Sequence, residues 1–352
     1  MDLLRKLSNM PGVAGYEKAA QGIVREELAT HADDMWTDRL GNLIAVKRRT
    51  SKGSGPARRL LYAAHMDEIG FMVSHVDDRG FLHFQPVGGF DARTLPSQRV
   101  TIHATKGTKR AIEGVIAPQP RWLASDADLS HVIPLEELFI DTGLSGDEVN
   151  AAVNVGDVVS LSKQFEILNG TVVTGRNFDD RVGVYCLVEA FKRLKDTSVD
   201  VFAVSTVQEE LGTRGIPTAA HAIEADICLA IDGSLPADTP FAKSYQEQCR
   251  MGGGTGIYVM DKRTVGDPEL LDALYATCEE KGIPYQRQLG GGTDASIVQR
   301  SGLGAKATTI GAPTRYMHST VQMCDMRDVE ATIALLASFP ERAADLIPED
   351  WR

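Results

Sequence analysis

The sequence lacks any stretch near the roughly 20 consecutive apolar residues that a membrane-spanning helix needs, so a bilayer is not an expected partner. Its first residues, Met-Asp-Leu-Leu-Arg-Lys-Leu-Ser-Asn-Met-Pro, interrupt the apolar positions with charges and lack the apolar core of a signal peptide. No lysine or arginine block is present, and the net charge is −11, which argues against a phosphate-backbone partner and so against nucleic acid. Cysteine is sparse: Cys186, Cys228, Cys249, Cys278 and Cys324 are odd in number and widely spaced, with no Cys-x-x-Cys pair. They read as buried thiols in a reducing cytoplasm, and any metal site must be built from other ligands. There is no internal repeat, and low complexity is confined to Gly252-Gly-Gly and Gly290-Gly-Gly.

What is present is ordinary for a globular protein, 43% hydrophobic and 24% charged. At 352 residues the chain exceeds the size at which one core usually keeps growing, so a main domain plus a smaller one is expected. The spacing predicts a helix over 17–31, a turn feeding a strand from Arg39 to Lys47, and a buried strand Leu60-Leu-Tyr-Ala-Ala ending at His65. Helices over 180–195, 216–224, 268–281 and 329–344 alternate with strands at 199–207, 227–231 and 305–310, which predicts an α/β sheet covered on both faces. Between these, residues 74–165 change texture. Short β-type runs with glycine and proline punctuation predict a small β-rich domain inserted into a main domain formed by 1–73 plus 166–352.

The chemistry-bearing residues fall where strands end. Val204-Ser-Thr-Val-Gln-Glu-Glu puts Glu209 and Glu210 side by side just past an apolar run; His65 and Asp67 follow Leu-Leu-Tyr-Ala-Ala; Asp232 follows Ile-Cys-Leu-Ala-Ile; Asp179-Asp180 opens a helix; His318 lies in a loop. Each has a plain structural reading by itself, as a hydrogen-bonded histidine, a helix N-cap or a turn residue. Together they are two histidines and several carboxylates at the carboxyl ends of α/β strands, where ligands bind. Such a set suits zinc, cobalt or manganese, and without a cation so many gathered carboxylates would repel.

Five segments resemble the metal-site motifs of the glutamyl aminopeptidase and TET (tetrahedral) aminopeptidase family: Ala64-His-Met-Asp-Glu-Ile-Gly-Phe, Gly175-Arg-Asn-Phe-Asp-Asp-Arg-Val-Gly, Gln208-Glu-Glu-Leu-Gly-Thr-Arg-Gly, Ile231-Asp-Gly-Ser and Arg315-Tyr-Met-His-Ser. The resemblance extends in order from Met10-Pro-Gly-Val-Ala-Gly-Tyr-Glu to Gly290-Gly-Gly-Thr-Asp-Ala and includes the insert. It implies an α/β fold with a mixed sheet sandwiched by helices (a phosphorylase/hydrolase-like metallopeptidase core) and an inserted small β-barrel-like domain used for dimerisation. It implies two divalent metal ions per subunit, with His65, Asp179 and Asp232 on one and Asp179, Glu210 and His318 on the other. Glu209 would be the general base for attack of a shared water, with Asp67 orienting His65. The implied activity is removal of N-terminal residues from peptides with a free N-terminus, by a homo-oligomer of dimers assembling to a dodecamer. Asn177-Phe178 departs from relatives that often carry a smaller residue there, a departure expected to alter the pocket beside the bridging Asp179 while removing no ligand.

Two rival readings stand beside this one. A glycosidase is raised by relatives described as endoglucanases, but it needs two carboxyl groups and no metal, whereas here the carboxylates are interleaved with histidines. A catalytically inactive scaffold would be expected to have lost a ligand, and none of the five motifs is broken. Arg250, Arg287 and Arg315 are candidates for selecting acidic residues, and the sequence assigns no preference among substrates.

Overall fold

The computed structural model describes residues 1–50, 57–123, 125, 131–348 and 351. Its main sheet has eight strands in the spatial order Asp34–Thr37, Leu43–Lys47, Asp200–Thr206, Arg59–His65, Ile227–Ile231, Lys306–Gly311, Thr255–Met260 and Tyr285–Leu289. The four central strands are mutually parallel, while Leu43–Lys47 and Thr255–Met260 run antiparallel to their inner neighbours, so the sheet is mixed. Asp200–Thr206, Ile227–Ile231 and Lys306–Gly311 are buried at every position, as strands covered on both faces must be.

Alternation along each strand divides the core between the two faces. Leu60, Tyr62, Ala64, Val201 and Ala203 share one cluster with the helices Phe178–Arg193 and Met326–Ser338. Leu61, Ala63, Phe202 and Val204 share another with Ile216–Ile223 and Ala295–Val298. This sandwich leaves only the strand ends open, and the polar groups collect there.

Directly after the strand that ends at His65, the chain leaves the sheet. Gly70–Val76, Leu82–Val87, Arg99–Ala104, Arg110–Ala117, Phe139–Asp141 and Val158–Leu161 close into a barrel with its own core of Phe71, Phe84, Val100, Ile102, Ile116 and Val159. The chain then returns through a small four-stranded sheet, Glu166–Asn169, Val172–Gly175, Gln322–Asp325 and Thr314–Arg315, whose second strand leads into Asp179.

Several local expectations are corrected. The helix expected over 329–344 begins at Met326, because Asp325 caps it by accepting from the Arg327 N–H at 2.9 Å, and it ends at Ser338, before Pro340. The helix expected over 17–31 spans Lys18–Leu28. Strands Thr255–Met260 and Tyr285–Leu289 were not legible: the outer one, Tyr-Gln-Arg-Gln-Leu, is a polar edge strand with no apolar run to betray it. The insert also carries a helix, Gly146–Ala152, started by a capping box between Ser145 and Glu148.

Candidate metal centre

Three of the central parallel strands deliver their groups from adjacent ends. His65 is the last residue of its strand and pairs in register with Thr206; Glu209 and Glu210 follow Thr206; Asp232 follows Ile231. Asp179 arrives from the small sheet, its N–H donating to the Gln322 side chain at 2.7 Å. His318 comes from the loop between Thr314–Arg315 and Gln322–Asp325. These loops are tightly bent: Gln208, Thr213, Tyr316 and His318 are four of the six non-glycine residues with positive φ among the described residues, a conformation that costs free energy and collects at functional sites.

The neighbouring aspartates 179 and 180 divide their work. Asp180, fully buried, accepts from the Gly183 N–H at 3.0 Å as a helix cap and from the His65 N–H at 3.2 Å. Asp179 faces the cavity. Its Oδ1 lies 3.1 Å from His65 Nε2 and its Oδ2 lies 3.4 Å from His318 Nε2, which is also 3.6 Å from Glu210 Oε2. Two sets of donor atoms result, His65 with Asp179 and Asp232, and Asp179 with Glu210 and His318, each with all its atoms within 4.8 Å of one another.

Main-chain carbonyls orient both imidazoles. His65 Nδ1 lies 3.1 Å from the Asp67 carbonyl oxygen and His318 Nδ1 lies 3.0 Å from that of Gly89. A carbonyl only accepts, so each Nδ1 carries the proton and each Nε2 is left towards Asp179. The Asp67 carboxylate stands 3.5 Å from His65 Nδ1, and its closer partners are the N–H groups of Glu209 at 2.9 Å and Glu210 at 3.0 Å. The Asp67 carboxylate therefore fixes the turn bearing both glutamates, while the His65 ring is held by the Asp67 carbonyl oxygen.

The electrostatics show what the site lacks. Burial, reinforced by Asp179, pushes Glu210 up to about 8. Burial also raises Glu209, with Asp294, Asp232 and Glu210 adding to it, and raises Asp232, with Asp179 and Glu210 adding. Burial alone would raise Asp179 too, but hydrogen bonds from His318 and His65 hold it below the usual carboxylate range. His318 is driven up to about 10, chiefly by Asp179. Carboxylates that resist ionisation beside histidines that hold their protons mark a site short of positive charge, and a donor set of this kind fits divalent ions.

The cavity over these groups has a volume of about 430 Å³, and its walls include Leu235, Tyr258, Met317, Lys262, Arg263 and the segment 291–293. Arg315 is taken up by Asp238, with contacts of 2.8 and 2.6 Å, Arg287 lies over the Tyr275 ring at 4.0 Å, and neither they nor Arg250 line it. Phe178 and Asn177 do not line it either, which corrects the expectation that they reshape the pocket. Phe178 is buried in the main core, and Asn177 donates to Glu68 at 3.0 Å. One neighbour was missed in sequence. Asp294, buried, accepts from the Thr206 hydroxyl at 2.7 Å, its other oxygen has no partner among the described residues, and burial raises it to about 6. The only signal for it was its place in the Gly290-Gly-Gly-Thr-Asp-Ala segment.

Strand-end carboxylates and histidines around a peptide-sized cavity in an α/β sandwich define a metal-dependent aminopeptidase, and comparison with known proteins agrees. The chain belongs to the M42 glutamyl aminopeptidase family, whose profile matches residues 41–335. It is 32% identical to the lysyl aminopeptidase of Pyrococcus furiosus, over 99% of this chain and 98% of that one. Among solved structures it superposes on an aminopeptidase from the archaeon Desulfurococcus kamchatkensis with a TM-score of 0.90 and 35% identity, covering 97% of this chain and 94% of that chain. It matches the Pyrococcus horikoshii TET1 peptidase, described as assembling into a tetrahedron or a large octahedral shell, with a TM-score of 0.85 and 31% identity, covering 97% and 98%. Among the described residues no helix is long and apolar enough to cross a membrane.

Proposed function

We propose that this chain is a cytoplasmic, dinuclear aminopeptidase that removes residues one at a time from peptides with a free N-terminus. His65, Asp179 and Asp232 would hold one divalent ion and Asp179, Glu210 and His318 the other, Asp179 serving both; zinc or cobalt suits this mixture of imidazole and carboxylate, with manganese a third candidate. When bound, such ions acidify water and polarise the scissile carbonyl. Glu209 lines the cavity, and its carboxylate makes no hydrogen bond among the described residues, so it is free to take a proton from the attacking water and return it to the leaving amine. Asp67 positions that base by gripping its N–H, and the same carboxylate holds Glu210, so proton transfer and ion binding share one support.

The shared position of Asp179 between two complete donor sets is the observation that carries this reading. A glycosidase would need two carboxyl groups flanking a sugar bond and has no use for Nε2 atoms aimed at a carboxylate. An inactive scaffold has no reason to keep a free carboxylate at Glu209 beside both sets. The test is hydrolysis of aminoacyl-anilides, free and N-acetylated, with zinc, cobalt or manganese added. The reading expects the free forms to be cleaved, the acetylated ones to be spared, and chelation to abolish the activity. Equal cleavage of the acetylated forms would contradict exopeptidase action.

A further inference from the structure

The segment Met10-Pro-Gly-Val-Ala-Gly-Tyr-Glu belongs to neither donor set, yet its last residue reaches the turn that carries Glu209. Past Thr206 the strand ends, and four consecutive N–H groups need acceptors outside the sheet ladder. All four find side chains. Val207 donates to Asn42 Oδ1 at 3.1 Å, Gln208 to Glu17 Oε1 at 3.0 Å, and Glu209 and Glu210 to the two Asp67 carboxylate oxygens. Asn42 and Glu17 are thus the grips on this turn that come from outside the metal-site segments.

Glu17 sits at the start of the helix Lys18–Leu28, where a carboxylate ordinarily caps the first turn or meets the helix dipole. Its side chain makes no cap there. Instead its Oε1 accepts from the N–H groups of Gly15 at 2.7 Å and Gln208 at 3.0 Å. The carboxylate is buried and forms no ion pair among the described residues, so its burial is costly and no cation offsets it. The residue it holds is one that needs holding: Gln208 has φ +55°, left-handed backbone that a non-glycine residue adopts at a cost, directly before Glu209. Glu17 is itself anchored. The Glu68 N–H donates to the Gly12 carbonyl at 3.0 Å, the Ala14 N–H donates to that of Glu68 at 3.3 Å, and Val13 packs with Val87 and Val158 of the barrel.

We infer that Glu17 is a positioning residue for the general base: by taking the Gln208 N–H it keeps that residue left-handed, and so turns the Glu209 carboxylate into the cavity. This rests on the aminopeptidase reading above and adds a support that its proton transfer requires. Glu17 does not line the cavity, so it acts through the turn. What it supplies is an acceptor at a set reach, and its charge is incidental. Glutamine offers the same Oε1 at the same reach, whereas aspartate keeps the charge but is one methylene short. A helix-capping role would order these two the other way, because aspartate caps well and a neutral side chain gains nothing from the dipole.

The experiment compares Glu17→Gln, Glu17→Asp and Glu17→Leu with the parent, all full-length and supplied with zinc or cobalt, on leucyl-anilide. In Glu17→Asp and Glu17→Leu, kcat is expected to fall by about 10-fold to 100-fold, as displacement of a reacting group by about 1 Å produces, with KM and bound metal within about 2-fold of the parent. Glu17→Gln is expected to keep kcat within about 3-fold of the parent, because its Oε1 accepts the same bond. Amide hydrogen exchange of the metal-free proteins, read on a peptide spanning 205–212, gives a second readout that needs no turnover: protection is expected in the parent and Glu17→Gln and is expected to be lost in Glu17→Asp and Glu17→Leu. If Glu17→Leu does not fold, the glutamine and aspartate variants still decide. Retention of kcat and protection by Glu17→Asp with loss in Glu17→Gln would overturn the inference. So would kcat within about 2-fold of the parent in every variant, or a loss confined to KM or bound metal. A parent that fails to hydrolyse leucyl-anilide would instead overturn the aminopeptidase reading beneath it.

Discussion

At the scale of single residues, the two glutamates that adjoin in sequence are expected to separate in function. Glu209→Gln keeps size and shape while removing the base, so turnover is expected to fall by about 100-fold to 10,000-fold with metal content near that of the parent. Glu210→Gln replaces an anionic donor by an amide, so one ion should bind weakly, with activity partly recovered at high metal concentration. Metal content measured beside turnover checks both, and loss of metal from Glu209→Gln alone would reverse the two roles. A pH prediction follows from Glu210 and His318 in the metal-free protein. Folding raises Glu210 from 4.5 to about 8 and His318 from 6.5 to about 10, so in that range the folded state binds protons more tightly than the unfolded one. The stability they contribute is present at low pH and is lost as pH rises through these windows. Thermal melts of stripped protein should therefore show Tm falling from about pH 5 to about pH 9 on this account, and added metal should raise Tm most at the alkaline end.

At the scale of elements, much of the fold can be read from strand chemistry. Apolar runs such as Leu60–Ala64 and Ile227–Ile231 are long because both faces are covered, and His65 and Asp232 stand out because polar groups end those runs. Tyr285–Leu289 was hidden by its polar edge, and the end of the helix Met326–Ser338 by a proline whose effect the periodicity overran. The supports of the site were hidden for a different reason. Gly89 holds His318 through a carbonyl oxygen, an atom every residue has, so no residue type announces the contact. That carbonyl lies just past the barrel strand Leu82–Val87, which brings the insert into the site. Gly88 has φ +87°, and an added Cβ would stand 2.5 Å from Ile69 Cγ2 and 3.4 Å from Glu210 Cβ. Gly88→Val is therefore expected to cost about 1–3 kcal/mol of stability and to loosen the ion held by Glu210 and His318, as thermal melts and metal content would show.

At the scale of the whole molecule, the chain matches along almost its full length a peptidase described as a tetrahedral or octahedral shell. The β-barrel has a core of its own. We expect dimers built through it, assembling to a dodecamer, and light scattering that returned only monomer for active enzyme would contradict this. The central claim is that two ions, sharing Asp179, make the site work. Titrating divalent metal into stripped protein, with bound metal and leucyl-anilide turnover followed together, tests it most directly. The account predicts no turnover without metal and full turnover as binding approaches two ions per chain; full turnover in rigorously metal-free protein would contradict it.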